Sequence, residues 1–164
     1  MKHWPVAFGL LAASAPAVAQ PADVRGFAIV EAGIYTRHVV SSERDSNGVA
    51  RSVVSSPQLV AGTTRIPAKL GASFGFRFMV TGAPTDAKVT VREEIRFPAP
   101  GARPPGSASP LALTSVSTEV PLNRVRFTGY TLAEPWELIP GKWVISVWFG
   151  DRKLGEQHFT VVKE

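Results

Sequence analysis

Phe74, Phe76, Phe78 and Val80 occupy every second position of one short run, with Ser73, Gly75, Arg77 and Met79 between them. Residues two apart share a face of a β-strand and of no helix, so this run is a strand with one apolar side. The same period returns in residues 87–97, where Val89, Val91, Ile95 and Phe97 alternate with Lys88, Thr90, Arg92, Glu94 and Arg96. It returns again in 142–149, with Trp143, Ile145, Val147 and Phe149 as the inner set. Strands are expected at 27–36, 49–55, 72–80, 87–97, 112–120, 124–130, 142–149 and 154–162. No window combines helical spacing with caps, although a single helical turn fits around 133–138. Fourteen Gly and 14 Pro supply the turns that many short strands need. The pattern predicts an all-β fold, a two-sheet antiparallel β-sandwich of about seven to nine strands.

Two segments lack the alternation. Residues 41–48 (SSERDSNG) read as a polar turn-forming loop, and 98–110 (PAPGARPPGSASP) as an extended, mobile, proline-rich excursion. The last two strands form a hairpin. A three-residue loop at 151–153 sets Ile145 opposite Phe159 and Trp143 opposite Val161, keeping both apolar sets on one face. That register places Trp148 on the outer face opposite Glu156, and Ser146 opposite His158.

The N-terminus reads as a secretory signal peptide over residues 1–19. Lys2 and His3 give a short basic start, 6–13 (VAFGLLAA) is apolar but too short to span a bilayer, and Ala17 and Ala19 are the small residues before a cut at Gln20. A single sandwich domain over 20–164 is expected to follow it. No cysteine follows the cut to take a lipid anchor, and no later stretch is apolar enough for a membrane span. The expected product is a monomer free in the periplasm or secreted.

The absence of cysteine from the chain also removes disulfides, thiolate nucleophiles and Cys–metal sites. The formal net charge of +5 comes from basic residues scattered singly, which reads as a mildly basic surface and no nucleic-acid partner. Arg124, Arg126, Thr128 and Tyr130 on one strand face come nearest to a basic–aromatic patch. His38 and His158 lie far apart in sequence, in no zinc-ligating spacing, and no Gly-x-Ser-x-Gly accompanies them. Neither catalytic nor metal-ligating residues, nor any cofactor, are expected. Glu93 and Glu94 are adjacent, so they point to opposite faces. Glu94 joins Arg92 and Arg96 on the solvent side, while Glu93 falls among Val91 and Ile95. Trp136, in a Pro-flanked loop, and Trp148, on an outer face, are the candidate binding residues, since exposed Trp dominates interfaces.

The segments 31–35 (EAGIY), 66–76 (IPAKLGASFGF), 140–143 (PGKW) and 154–161 (LGEQHFTV) together resemble a bacterial domain-of-unknown-function family of small exported immunoglobulin-like β proteins. The resemblance spans roughly residues 27–162. It implies an immunoglobulin-like sandwich and brings no catalytic residue with it. The expected function is a non-enzymatic module that binds or scaffolds in the cell envelope, its partner an envelope protein or glycan. Strand addition at an exposed sheet edge, or the loop aromatics, would carry recognition. The alternative is a small-molecule or glycan binder built on Trp136 at one end of the sandwich. A more remote one is an envelope hydrolase using Glu93.

Overall fold

A computed structural model of the chain describes residues 21–36, 39–54 and 57–163. Residues 1–19, read above as a signal peptide, and His38 lie outside them. Eleven strands appear among the described residues: β1 (Asp23–Tyr35), β2 (Val39–Arg44), β3 (Ala50–Val54), β4 (Leu59–Ala61), β5 (Arg65–Pro67), β6 (Ser73–Ala83), β7 (Lys88–Arg96), β8 (Leu113–Pro121), β9 (Val125–Thr131), β10 (Gly141–Phe149) and β11 (Arg152–Val162). One sheet has the order β4-β1-β6-β9, the other β5-β11-β10-β7-β8, and β2 with β3 forms a separate hairpin. Every expected strand is present. The helical turn is a 3-10 turn at Pro135–Glu137.

The alternation seen in the sequence builds the core. Phe74, Phe76, Phe78 and Val80 of β6 are buried against Val89, Val91, Ile95, Trp143, Ile145 and Val147 of the facing sheet. Trp143 sits at the centre of the aromatic contacts, 4.9 Å from Phe97, 5.1 Å from Tyr130 and 5.7 Å from Phe74 between ring centroids. Its indole N–H donates to the Ile139 carbonyl at 3.0 Å, so burial leaves no orphan donor.

The hairpin register differs from expectation. Gly150, at φ 56, opens a two-residue loop in which Phe149 faces Arg152 and Trp148 faces Lys153. The glycine favours this tighter turn because a positive φ costs it nothing. Carried along the strand unbroken, that register would turn the apolar set of β11 outward. A bulge at Leu154 restores the parity, and beyond it Trp143 faces Phe159 and Ser146 faces Glu156. Trp148 therefore lies on the outer face as expected, beside Lys153 in place of Glu156.

Both segments read as irregular are more ordered than expected. Ser41–Arg44 belong to β2, and only Asp45–Gly48 turn. Asp45 closes that turn, its Oδ1 accepting the Asn47 and Val49 N–H groups at 2.9 and 3.0 Å. Its Oδ2 accepts the Thr114 hydroxyl at 2.9 Å, which ties the hairpin to β8. Pairing with β3 overrides the low strand propensity of a polar run. The proline-rich segment folds back on itself as a continuation of β7 and β8. Ala102 and Leu111 exchange backbone hydrogen bonds of 2.9 and 2.7 Å, and Ala102 is fully buried.

Candidate functional site

Trp136 does not stand in solvent. It is half-buried and packs against the core from the 3-10 turn. What fixes that turn is Glu137, whose side chain is fully buried. The Tyr130 hydroxyl donates to its Oε1 at 2.7 Å, and the Ala133 and Glu134 N–H groups donate to its Oε2 at 2.5 and 2.8 Å. The carboxylate thus satisfies backbone donors that the turn leaves open. Arg44 of β2 donates to Glu134 at 2.5 Å and to the Gly48 carbonyl at 3.0 Å, fastening the β2–β3 turn alongside. A shallow cleft of about 670 Å³ lies between that turn and the proline-rich arm, with Asn47, Pro105 and Ser107 among its walls.

Trp148 occupies the outer face of the five-stranded sheet. The Arg92 guanidinium and the Lys153 ammonium stand 4.8 and 5.2 Å from its ring centroid, and its N–H donates to Ser146 Oγ at 3.0 Å. Glu94 is on this face with Arg92 and Arg96, as expected, yet it is only 8% exposed. Both arginines pair with it, at 2.6 and 3.2 Å. Exposed His158 pairs with Glu156 at 2.8 Å, and Lys153 pairs with the other oxygen at 2.7 Å. These two partners hold the Glu156 carboxyl below its usual range, Lys153 having the larger effect.

Glu93 lies on the core-facing side of β7 and is half-buried. Thr128, reaching from β9 in the other sheet, donates to its Oε2 at 2.7 Å. This carboxylate links the two sheets. The four residues of β9 and its approach that come nearest to a basic–aromatic patch do not form one. Thr128 and Tyr130 point into the core, Arg126 is exposed, and Arg124 makes a two-pronged pair with Asp86 at 2.5 and 2.8 Å. Among the described residues no group of three or more metal-ligating side chains converges.

A further polar cluster covers the other sheet. Arg77 pairs with Glu31 at 3.2 Å and donates to the Pro57 carbonyl at 2.6 Å, while the Tyr35 hydroxyl lies 3.4 Å from the same Glu31 oxygen. Burial first, and the Glu31 charge second, push the Tyr35 phenol up to about 12. The folded protein thus holds this proton more tightly than the unfolded chain, where a phenol titrates near 10. The stability it contributes is fully present below pH 10 and is lost as pH rises through about 12. Tyr35→Phe is expected to flatten the loss of stability between those pH values in urea titrations. It should also remove one late-titrating phenol from the absorbance spectrum.

The sheet edges differ in how they are protected. β4 covers only the end of β1, whose remaining length is broken by bulges at Arg25 and Val30, β4 and β5 have three residues each, and β9 carries Arg126. β8 pairs with β7 in unbroken register from Leu113 to Pro121, with no lysine, arginine, bulge or internal proline. Such features normally guard an edge against pairing. Leu122 N–H donates to the Ala87 carbonyl and Phe97 N–H to the Ala112 carbonyl, each at 2.9 Å. Even-numbered residues of β8 therefore face β7, and the exposed Ser117 and Glu119 turn their N–H and C=O groups away from it. Among the described residues, no strand pairs with β8 on that far side.

A family model, Domain of unknown function (DUF3859), matches residues 23–161, from the first strand to the last. The chain belongs to the DUF3859 family. It is also similar to an immunoglobulin-like protein from Pseudomonas aeruginosa solved as a crystal structure, with 26% identity and a TM-score of 0.61 over 87% of this chain and 98% of that one. No protein of curated function matches. This DUF3859 chain therefore has an immunoglobulin-like sandwich, with β7, β10 and β11 at the centre of one sheet. Family membership fixes the architecture and brings no activity. Glu137 and the β8 edge escaped the sequence reading. Glu137 follows a Pro-Trp pair in an irregular segment, and only the strand order shows which strand is terminal.

Proposed function

We propose that this DUF3859 protein is an exported, non-enzymatic module that binds or scaffolds within the bacterial cell envelope. It takes an extended segment of an envelope protein as an added strand along the Ser117–Glu119 stretch of β8. The observation that carries the reading is the outward-facing backbone of Ser117 and Glu119, on a strand in unbroken register with no lysine, arginine or bulge, whose guards are Glu119 itself and the terminal Pro121. Export rests on the N-terminal leader sequence. The non-enzymatic reading is supported by what the candidate acid does, since Glu93 hydrogen-bonds across the sandwich to Thr128. The packing of Trp136 against the core favours an edge over a pocket at that end.

Proline at position 117 tests this directly. Its ring removes an N–H that points away from β7, so the ladder to β7 keeps its bonds, and edge strands tolerate proline. Ser117→Pro is expected to keep the thermal midpoint within a few degrees of wild type, on the order of the shift for a minor surface change. It should lose the partner that the wild-type mature protein retains from envelope extract. Thr118→Pro removes a ladder donor instead and is expected to destabilise the fold. Equal retention by wild type and Ser117→Pro, with both folded, would sink the strand-addition reading.

A further inference from the structure

The outer face of the five-stranded sheet is a lattice of three rows across β11, β10 and β7. Register sets Lys153, Trp148 and Arg92 in one row, Glu156, Ser146 and Glu94 in the next, with His158, Val144 and Arg96 in the third. Along β7 and along β11 the order is therefore cation, carboxylate, cation, if His158 is counted when protonated. Each carboxylate is shared by two basic groups, at 2.6 and 3.2 Å for Glu94 and at 2.7 and 2.8 Å for Glu156. Glu94 is the recessed carboxylate, while Glu156 is nearly as exposed as its partners Lys153 and His158. The Glu94 side chain is 10% exposed, against 37% and 54% for Arg92 and Arg96. Lys142, exposed at the start of β10, adds another positive charge. Along β7 an approaching ligand thus meets the two arginines first, with guanidinium donors that Glu94 leaves unused.

The arrangement is held in place. Trp148 carries Arg92 and Lys153 over its ring, and its N–H is anchored on Ser146, a hydroxyl only 4% exposed. The basic groups at the corners are spaced by about 10 Å across the strands and about 13 Å along them. That spacing suits a ligand with several separated negative charges better than one small anion. It does not suit a bilayer, because the exposed large apolar residues, Ile29, Val30, Leu59, Val60, Leu70 and Val125, all lie off this face.

We infer that this face binds an acidic polysaccharide, a linear chain with carboxylate groups at sugar spacing. Arg92, Arg96 and Lys153 make the ionic contacts, and Trp148 is a positioning residue for two of them. The face continues onto β8, where Ser117 lies opposite Arg92, but the inference concerns side chains of β7, β10 and β11 rather than the outward backbone of β8, and stands or falls without strand addition. Polygalacturonate is the probe, dextran the neutral control, and vesicles of anionic phospholipid the competing surface. The mature protein is expected to bind polygalacturonate at low salt, to ignore dextran, and to release the polymer as ionic strength rises. Arg92→Ala with Arg96→Ala is expected to weaken binding by about tenfold or more. Arg25→Ala with Arg126→Ala removes the same charge from other surfaces and should change it less than about twofold. Trp148→Phe should shift the protein's fluorescence response to the polymer. Equal weakening by the two double variants would mean a general charge effect and overturn the inference. So would binding to the vesicles without binding to polygalacturonate, or no binding to either.

Discussion

Glu137→Ala is expected to destabilise the protein by about 3–5 kcal/mol, a large part of the total for a domain of this size. The cause is what the carboxylate leaves behind. The Tyr130 hydroxyl and the Ala133 and Glu134 N–H groups would each lose their acceptor next to the core. The stranded Tyr130 hydroxyl is buried and costs about 1–3 kcal/mol, the part-buried Ala133 and Glu134 N–H groups cost less, and the vacated volume adds to that. Glu137→Gln keeps one carbonyl oxygen for the two N–H groups, and its amide can donate to Tyr130, so about half the loss should be recovered. Urea denaturation reads both variants, with a lower midpoint and an unchanged slope. A change below about 0.5 kcal/mol for the alanine variant would mean the three donors find other partners.

The second large effect is expected at Gly75. Gly33, Gly75 and Gly129 lie side by side in register on three neighbouring strands, on the outer face of the four-stranded sheet. A methyl at position 75 would press into the Thr128 carbonyl oxygen, and would lie 2.6 Å from Gly129 Cα and 3.0 Å from the Phe127 ring. The first two are backbone atoms of the paired strand and cannot turn aside. Gly75→Ala is expected to cost about 3 kcal/mol or more, at the upper end of overpacking, and to loosen the β6–β9 pairing. Gly62→Ala is the matched control. A methyl there meets nothing within 4 Å, so its effect should stay within about 0.5 kcal/mol. Equal melting temperatures for the two variants would show that β9 can move away from β6 at little cost.

The sandwich was legible because its inner faces are written at period two. Phe74 to Val80 and Val89 to Phe97 announce both their strands and their core faces. Parity also placed Trp148 outside and Glu93 inside. What escaped depends on partners far along the chain. β4 and β5 have three residues each, too few to show alternation, and exist through pairing with β1 and β11. The bulge at Leu154 answers a turn choice made at Gly150, and no local pattern marks it. The proline-rich arm looked mobile because prolines usually signal open chain. Here the bonds between Ala102 and Leu111 close it. Burial of Trp136 follows from Glu137, whose role appears only once Tyr130 is brought beside it. The edge position of β8 is a property of strand order, and order is not local.

The claim that β8 is an open docking edge is tested most directly by residue-resolved amide exchange on the labelled mature protein, alone and in envelope extract. In the isolated protein Thr118 and Val120 should exchange slowly, because their N–H groups are in the ladder to β7, while Ser117 and Glu119 exchange fast. In the extract, Ser117 and Glu119 should become protected, and Glu119 should stay fast in the Ser117→Pro variant. Slow exchange of Ser117 and Glu119 in the isolated protein, or no change in the extract, would contradict strand addition at this edge.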